Sequence, residues 1–512
     1  METHLSKKEP PRPRFICTAA NSWVDEEMRG LDMGDRRLNK RVVRLVSDLG
    51  ERPTASIPAA CGGWNETAAA YRLFANQAAT LPTILRPHHE HTLERMGAHR
   101  VVLLVQDTTE IDLTRPQQQV KGTGMLDDSN RRGALLHSMQ AFTAGGTPLG
   151  GLWAKAWMRP AEKQGTARHH QRKALPIEEK ESHRWIEGLR QARHAAQHTP
   201  ATQCVCIADS EADIYELFVE PRGGGAGQKE APCVEWLMRA CQPRALVEGS
   251  SLQPATAATD GTGPTNLDAA FAQAPVLFTK EIDVRGREAK VSCEKRGRRQ
   301  PRESRCTEVE VRAVSVTLRP PYRCDKRLPA VRVNAVRVRE IATPQGDIPV
   351  EWLLLSTLPI DTVEQVRRIV EYYRTRFLIE VFFRVLKSGC RVEERRFEDV
   401  ERLLPCLAVY LIVAWRTFML SRIGREHPKL SCKAFFAPEE WRSVWMITQG
   451  KARPRQPPPL QEMIGLIAQL GGYVRRGLKP QLPPGPQTLW LGLQRMRDLA
   501  LAWKTFGPKS YV

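Results

Sequence analysis

Residues 370–387 read VEYYRTRFLIEVFFRVLK. Within them Tyr373, Arg376, Glu380 and Lys387 are separated by three, four and seven positions. At roughly 100° per residue of α-helix, all four fall in a narrow arc of one face, and Arg384 joins them. The helix after Arg376 is otherwise strongly apolar: Phe377, Leu378, Val381, Phe382, Phe383, Val385 and Leu386. This pattern predicts a well-buried helix carrying a polar stripe. Charge pairs at i,i+3 and i,i+4 also support ordinary solvated helices. On a buried helix, however, such a stripe faces a site. One carboxylate among cations and a phenol suits metal-assisted phosphate chemistry: the glutamate holds a metal and the cations hold phosphates.

Upstream, Val101 to Val105 is a continuous apolar β run followed by Gln106-Asp107, and Cys204 to Ala208 is another followed by Asp209. Each reads as a buried strand with a carboxylate at its C-terminal end. In one sheet such ends share an edge, so Asp107 and Asp209 can converge there, with Glu380 approaching from a packed helix. Taken singly, a strand-end aspartate commonly caps a turn, and Asp209 can N-cap a helix over 210–218. Three acids brought together repel one another unless divalent metal lies between them. Two Mg²⁺ ions about 3.5–4 Å apart are the usual arrangement for in-line attack at phosphorus. The order of hairpin strands, helix, strand and helix, carrying Asp, Asp and Glu, is that of a ribonuclease-H-like α/β fold.

At 512 residues the chain is long enough for three or four domains. It carries 77 Lys+Arg against 57 Asp+Glu, a net +20. That balance favours a polyanionic partner, nucleic acid rather than a membrane. Twelve cysteines are scattered without a Cys-x-x-Cys pair, which indicates reduced structural thiols, a cytosolic setting and no zinc site. No apolar signal segment follows Lys7, Lys8, Arg12 and Arg14. The most apolar run, Leu404 to Leu420, is broken by Arg416 and reads as a core helix rather than a membrane span.

The chain divides as follows. Residues 1–20 form a loose basic tail. Residues 21–95 form a helical module for DNA binding: Leu38, Val42, Leu45, Val46 and Leu49 make its apolar side, and Arg36, Arg37, Lys40, Arg41 and Arg44 decorate the rest. A second helix over 65–76 carries Arg72. Residues 96–244 are the first part of the α/β core. They include strands over 134–144 and 148–158 joined by Gly145-Gly146, a helix over 177–198, and a strand over 234–238 with Arg239 at its end. Residues 245–275 read as a long loop, and 277–345 alternate like an antiparallel sheet with a basic tip at Lys295, Arg296, Arg298 and Arg299. Together, 245–350 are an inserted β region. Trp352 to Leu355 restarts the core, which runs over 351–425. Residues 426–512 are a C-terminal helical region, with a proline linker at 454–459 and a break at 471–486.

The spacing Tyr-x2-Arg-x3-Glu-x6-Lys resembles the hallmark of the DDE transposases of bacterial insertion sequences. The closest group is the insertion-sequence-four family, including the Tn-five type. GDRRLNKR at 34–41, YRLF at 71–74, QDTTE at 106–110, WMRP at 157–160, EKES at 179–182 and ADSEAD at 208–213 are similar to its motifs. So are KRGRR at 295–299, WLLLST at 352–357, LGGY at 470–473 and LWLGLQRMRDL at 489–499. The resemblance implies a catalytic triad of Asp107, Asp209 and Glu380 binding two Mg²⁺ ions, with Mn²⁺ able to substitute. It implies phosphate contacts from Tyr373, Arg376 and Lys387, a DNA contact from Arg239, and stacking of Trp352 on a flipped base. It further implies double-stranded DNA partners (the terminal inverted repeats and the target), a homodimer in which each active site cuts the partner's end, a hairpin intermediate, and a place near the bacterial nucleoid. Two departures stand out. Ser210 replaces an arginine common in the second aspartate motif, and Arg384 stands where a lysine can occur, keeping the charge but changing its geometry.

Overall fold

The computed structural model describes residues 23–128, 130–160, 175–222, 233–247, 264–284, 286, 302–323, 326–450, 454, 456–474 and 483–507. The basic tail and Lys295, Arg296, Arg298 and Arg299 lie outside the described residues. The strands are β1 (Val101–Asp112), β2 (Gly124–Met125), β3 (Arg132–Thr143), β4 (Pro148–Trp157), β5 (Gln203–Ala208), β6 (Glu235–Arg239), β7 (Phe278–Val284), β8 (Arg305–Leu318), β9 (Val331–Glu340) and β10 (Glu351–Ser356). They form one mixed sheet in the order β2-β3-β1-β5-β6-β10-β9-β8-β7, with β4 on the other side of β3 along part of its length. β1, β3 and β4 make an antiparallel meander, and β5 and β6 run parallel to β1. From β10 to β7 every pairing is antiparallel.

Side chains alternate across this sheet with the strand period of two. Leu103, Val105, Val205, Ile207, Leu237 and Leu354 join one apolar core, while Val102, Leu104, Cys204, Cys206, Trp236 and Leu355 join a second on the opposite face. The first face is covered by helices from both ends of the chain. They include α1 (Trp23–Glu27), α2 (Arg36–Glu51), α3 (Ile57–Cys61), α4 (Trp64–Phe74) and α5 (Leu81–Met96). The second face is covered by α6 (His183–His198), α7 (Tyr215–Phe218) and α8 (Leu267–Gln273). Returning to the first face, α9 (Val363–Thr375) and α10 (Phe377–Arg384) precede α11 (Val400–Glu426), α12 (Pro438–Gln449), α13 (Leu460–Leu470) and α14 (Pro486–Phe506). By length and composition α11 could cross a membrane, but 94% of its apolar window is buried in the protein, as a core helix requires.

Buried charge fastens the N-terminal helices to the sheet. Glu27 accepts from His88 Nδ1 at 2.5 Å and from both terminal nitrogens of Arg95 at 2.8 and 3.0 Å. His88 Nε2 accepts from the Gly151 amide of β4 at 2.8 Å, which leaves the imidazole proton on Nδ1. Burial alone pushes the Glu27 carboxyl up, but Arg95 and His88 overcome it and hold it well below the usual range. Arg95 also lies over the Trp415 ring of α11, 4.4 Å from its centroid. A second tie is Arg395, which donates to the carbonyls of Pro53 and Ala55 and to that of Cys390.

Several local expectations are corrected. The strand beginning at Val101 does not stop at Asp107. β5 ends its parallel pairing opposite Val105, but β3 continues to pair as far as Asp112, so Asp107 sits within β1. The segment 245–275 is not all loop, because Asn266 caps α8 by accepting from the Ala269 amide, and α8 buries Leu267, Ala270 and Phe271. The inserted strands extend the central sheet rather than forming one of their own. The single signature helix is broken at Arg376, and after α10 it widens into a π-turn over Val385–Gly389, closed by Cys390 N–H donating to Val385 O at 2.8 Å. Phe377, expected inside, is 42% exposed. The Gly145-Gly146 hairpin forms as read, with Gly146 at φ +85°, a conformation that favours glycine.

Glu27→Ala leaves the largely enclosed Arg95 guanidinium without its carboxylate, so global stability should fall by about 3 kcal/mol. Urea denaturation of the full chain measures this. A change below about 1 kcal/mol would show that the network contributes little.

Candidate active site

Asp107 and Asp209 each lie two positions beyond the last parallel pair, Val105 opposite Ile207. By strand alternation both face the first core, the side on which α9 and α10 pack against β1. Arg376, at the junction of those helices, is 8% exposed and reaches into the gap. Its Nη1 stands 3.1 Å from Asp107 Oδ2 and 4.0 Å from Asp209 Oδ2, and its Nη2 bonds Glu380 Oε1. The structure therefore brings Asp107, Asp209, Glu380 and Arg376 together. Among the described residues, however, no three His, Cys, Asp or Glu side chains close around a point as a metal site does.

Burial pushes the Asp107 carboxyl up to about 7. Arg376 opposes the rise, and the nearby Asp209 and Glu380 charges add to it. Its Oδ1 accepts from the Thr108 amide at 2.8 Å. Asp209 does two things at once. Its Oδ1 accepts from Glu211 N at 2.9 Å and caps a 3₁₀ turn over Ser210–Ala212, while Oδ2 faces Arg376.

Tyr373 is buried under this cluster, and burial pushes its phenol up to about 12, with Arg376 and Arg239 pulling the other way. Its ring meets half-buried Trp352 edge-on at 5.6 Å, and Trp352 also lies 6.2 Å from Phe377. Arg239 is exposed at the end of β6 and donates to Glu351 O at 3.2 Å. Lys387 lies in the π-turn. Its Nζ lies 3.7 Å from Glu393, which in turn accepts from Asp112 N. Arg384 is exposed on α10. Arg36, Arg37 and Arg72 are exposed and Arg41 is half-buried, all on α2 and α4 rather than on the elements bearing the carboxylates.

The sequence reading missed the support behind Asp107. Gln106 and Thr108 alternate with it and therefore enter the second core. Arg184 Nε donates to Thr108 Oγ1 at 2.9 Å, and Thr108 Oγ1 meets His137 Nδ1 at 2.7 Å. His137 Nε2 meets Gln106 Oε1 at 3.0 Å, and Gln106 Nε2 donates to Trp185 O and Cys206 Sγ. The chain is consistent if the imidazole is neutral with its proton on Nε2, and burial holds His137 well below the usual range. Arg184 also donates to Glu211, next to the turn capped by Asp209, so one guanidinium braces both aspartate segments. The available signal was polarity on the core-facing alternate positions of a buried strand. Phe377 was the other omission: it is an exposed aromatic, 5.0 Å from the Arg376 guanidinium.

Residues 20–79 match the family described as Transposase DNA-binding, and residues 412–503 match that described as Transposase Tn5 dimerisation domain. A transposase DNA-binding segment and a Tn5-type dimerisation segment on one chain support a Tn5-like transposase of the insertion-sequence-four family. Among solved structures it is similar to one titled "Cryo-EM structure of piggyBac transposase synaptic complex with hairpin DNA", at 8% identity and a TM-score of 0.30. That match covers 71% of this chain and 56% of the other, so the chain spans little more than half of that protein. A likeness this loose fixes neither fold nor activity.

A carboxyl raised in the folded state stabilises the fold only while protonated. Asp107 should therefore lose stability as pH rises from its unfolded value of 3.8 through about 7. Asp107→Asn should melt above the wild type at pH 8, with the gap closing towards pH 4. Thermal melts across that range check the sign, and an advantage that grows on acidification would refute it.

Proposed function

We propose that this protein is a cut-and-paste DNA transposase of a bacterial insertion sequence. It binds double-stranded transposon ends, cleaves the end phosphodiester, passes through a DNA hairpin, and joins the freed 3′-OH to target DNA as a homodimer close to the nucleoid. The observation carrying this reading is the convergence of Asp107, Asp209 and Glu380, from three elements, on one cation. The order β4-β3-β1-β5-β6, three antiparallel strands followed by two parallel ones, supports the ribonuclease-H-like reading of the core.

The donor set fits a hard divalent cation, because carboxylate oxygens are its preferred ligands and the gap already holds positive charge. Asp107, Asp209 and Glu380 would hold Mg²⁺ or Mn²⁺, which supplies activation of the attacking oxygen and charge stabilisation at phosphorus. Arg384 and Arg239 are exposed nearby and hold backbone phosphates. Trp352 and Phe377 offer aromatic surface for an unstacked base. The Arg184–Thr108–His137–Gln106 chain fixes the backbone on which Asp107 is placed. Arg36, Arg37, Arg41 and Arg72 supply backbone contacts at the end sequence, so binding should weaken steeply with salt.

The test uses the full chain, a labelled duplex from the element's end and Mg²⁺. Wild type should cleave and join. Glu380→Ala should bind equally well yet lose at least about a hundredfold in cleavage. Binding without cleavage by the wild type would indicate a silent end-binding protein. Cleavage without joining would indicate a nuclease of the same fold.

A further inference from the structure

The triad is held apart by the residue that neutralises it. Arg376 contributes to Asp107, Asp209 and Glu380 at once, and its guanidinium lies between them. We infer that Arg376 is a stand-in cation in the DNA-free enzyme, and that divalent metal enters the triad only as Arg376 leaves. This inference rests on the proposed function, in which these three carboxylates are the metal ligands.

Competition follows from charge and space. A carboxylate oxygen engaged by a guanidinium is a poor ligand, since its lone pairs are committed and the arginine's positive charge repels an arriving divalent ion. With the arginine in place, the three carboxylates do not close around a common point, although each already faces the same gap. Removing the guanidinium leaves them facing one another, the condition under which a divalent cation is bound most tightly.

The arginine is also built to move. Its Nε is buried yet has no acceptor, so only the two terminal nitrogens hold it. Its backbone stands at the junction of α9 and α10, where Arg376 N–H donates to Tyr373 O at 3.0 Å and its carbonyl accepts from Ile379 N at 3.3 Å, both shorter-range than the α-helical pattern. The Phe377 ring lies 5.0 Å from the guanidinium and is itself exposed, so an aromatic surface leads from the gap to solvent. The Glu380 side chain is 51% exposed and marks the same opening. A phosphate arriving at that opening competes for the guanidinium. By linkage, whatever draws Arg376 outward tightens metal binding, and metal binding equally frees Arg376 for phosphate. Without DNA the enzyme therefore holds metal weakly.

The test is Mn²⁺ binding to the DNA-free full chain, followed by the loss of free-ion signal in electron paramagnetic resonance. Arg376→Ala should bind Mn²⁺ about tenfold or more tightly than wild type, within the usual range of coupling between sites. Arg376→Lys keeps a charge but loses the fork, and should fall between the two. It also serves as the readout should the alanine variant fail to fold. Equal or weaker binding by the folded variants would overturn the inference, because the arginine would then order the carboxylates for metal. A triple variant, Asp107→Asn, Asp209→Asn and Glu380→Gln, separates the two levels of argument. If Arg376→Ala binds no more Mn²⁺ than the triple variant, the metal-triad reading itself fails.

Discussion

Like charges gathered on one face of a sheet repel, and the carboxylate end of this molecule is arranged around that repulsion. Asp107 and Asp209 are forced into proximity because β1 and β5 are parallel neighbours whose pairing stops just before both. Glu380 is brought over them by α10. Burial raises the Asp107 carboxyl, and the single guanidinium at the helix break offsets only part of the cost. Arg376 stands at the helix break, beside the exposed Phe377 ring and next to the buried Tyr373.

The sheet keeps the carboxylate cluster and its support on separate faces. Asp107 faces the core shared by the terminal helices, while Gln106 and Thr108 face the one under α6. A strand with period two places reactive and bracing groups one residue apart without crowding them. The bracing chain runs through the fully buried imidazole to the Trp185 carbonyl and the Cys206 sulfur. Asp107 is thus braced from the face of the sheet opposite its own carboxyl.

Much of this was legible in the sequence, for identifiable reasons. The strand at 203–208, the Gly145-Gly146 hairpin and the buried helix over 404–420 followed from apolar runs and turn chemistry, which are local signals. That Asp107, Asp209 and Glu380 come together followed from carboxylates placed against such runs and on the buried helix. What escaped was set by tertiary pairing. The length of β1 depends on β3, not on its own apolar run. A helical wheel assumes uniform turns, so the break at Arg376, the π-turn at Val385–Gly389 and the Lys387–Glu393 contact were invisible to it. The salt bridges from Arg376 to three carboxylates could not be read from spacing that places only Glu380 beside it.

The ties at Glu27 and Arg395 bear on how such elements diversify. The segment matching a DNA-binding family is not strung on a linker. Its carboxylate is locked by α5 against β4, and its backbone carbonyls are gripped by an arginine that also holds the chain just after the π-turn. Transplanting a foreign reading head onto this body would sever a hydrophobic core along with those ties. Under the proposed function, new end sequences would be reached through exposed positions on α2 and α4, such as Arg36, Arg37 and Arg72, one side chain at a time, so that the two parts descend together.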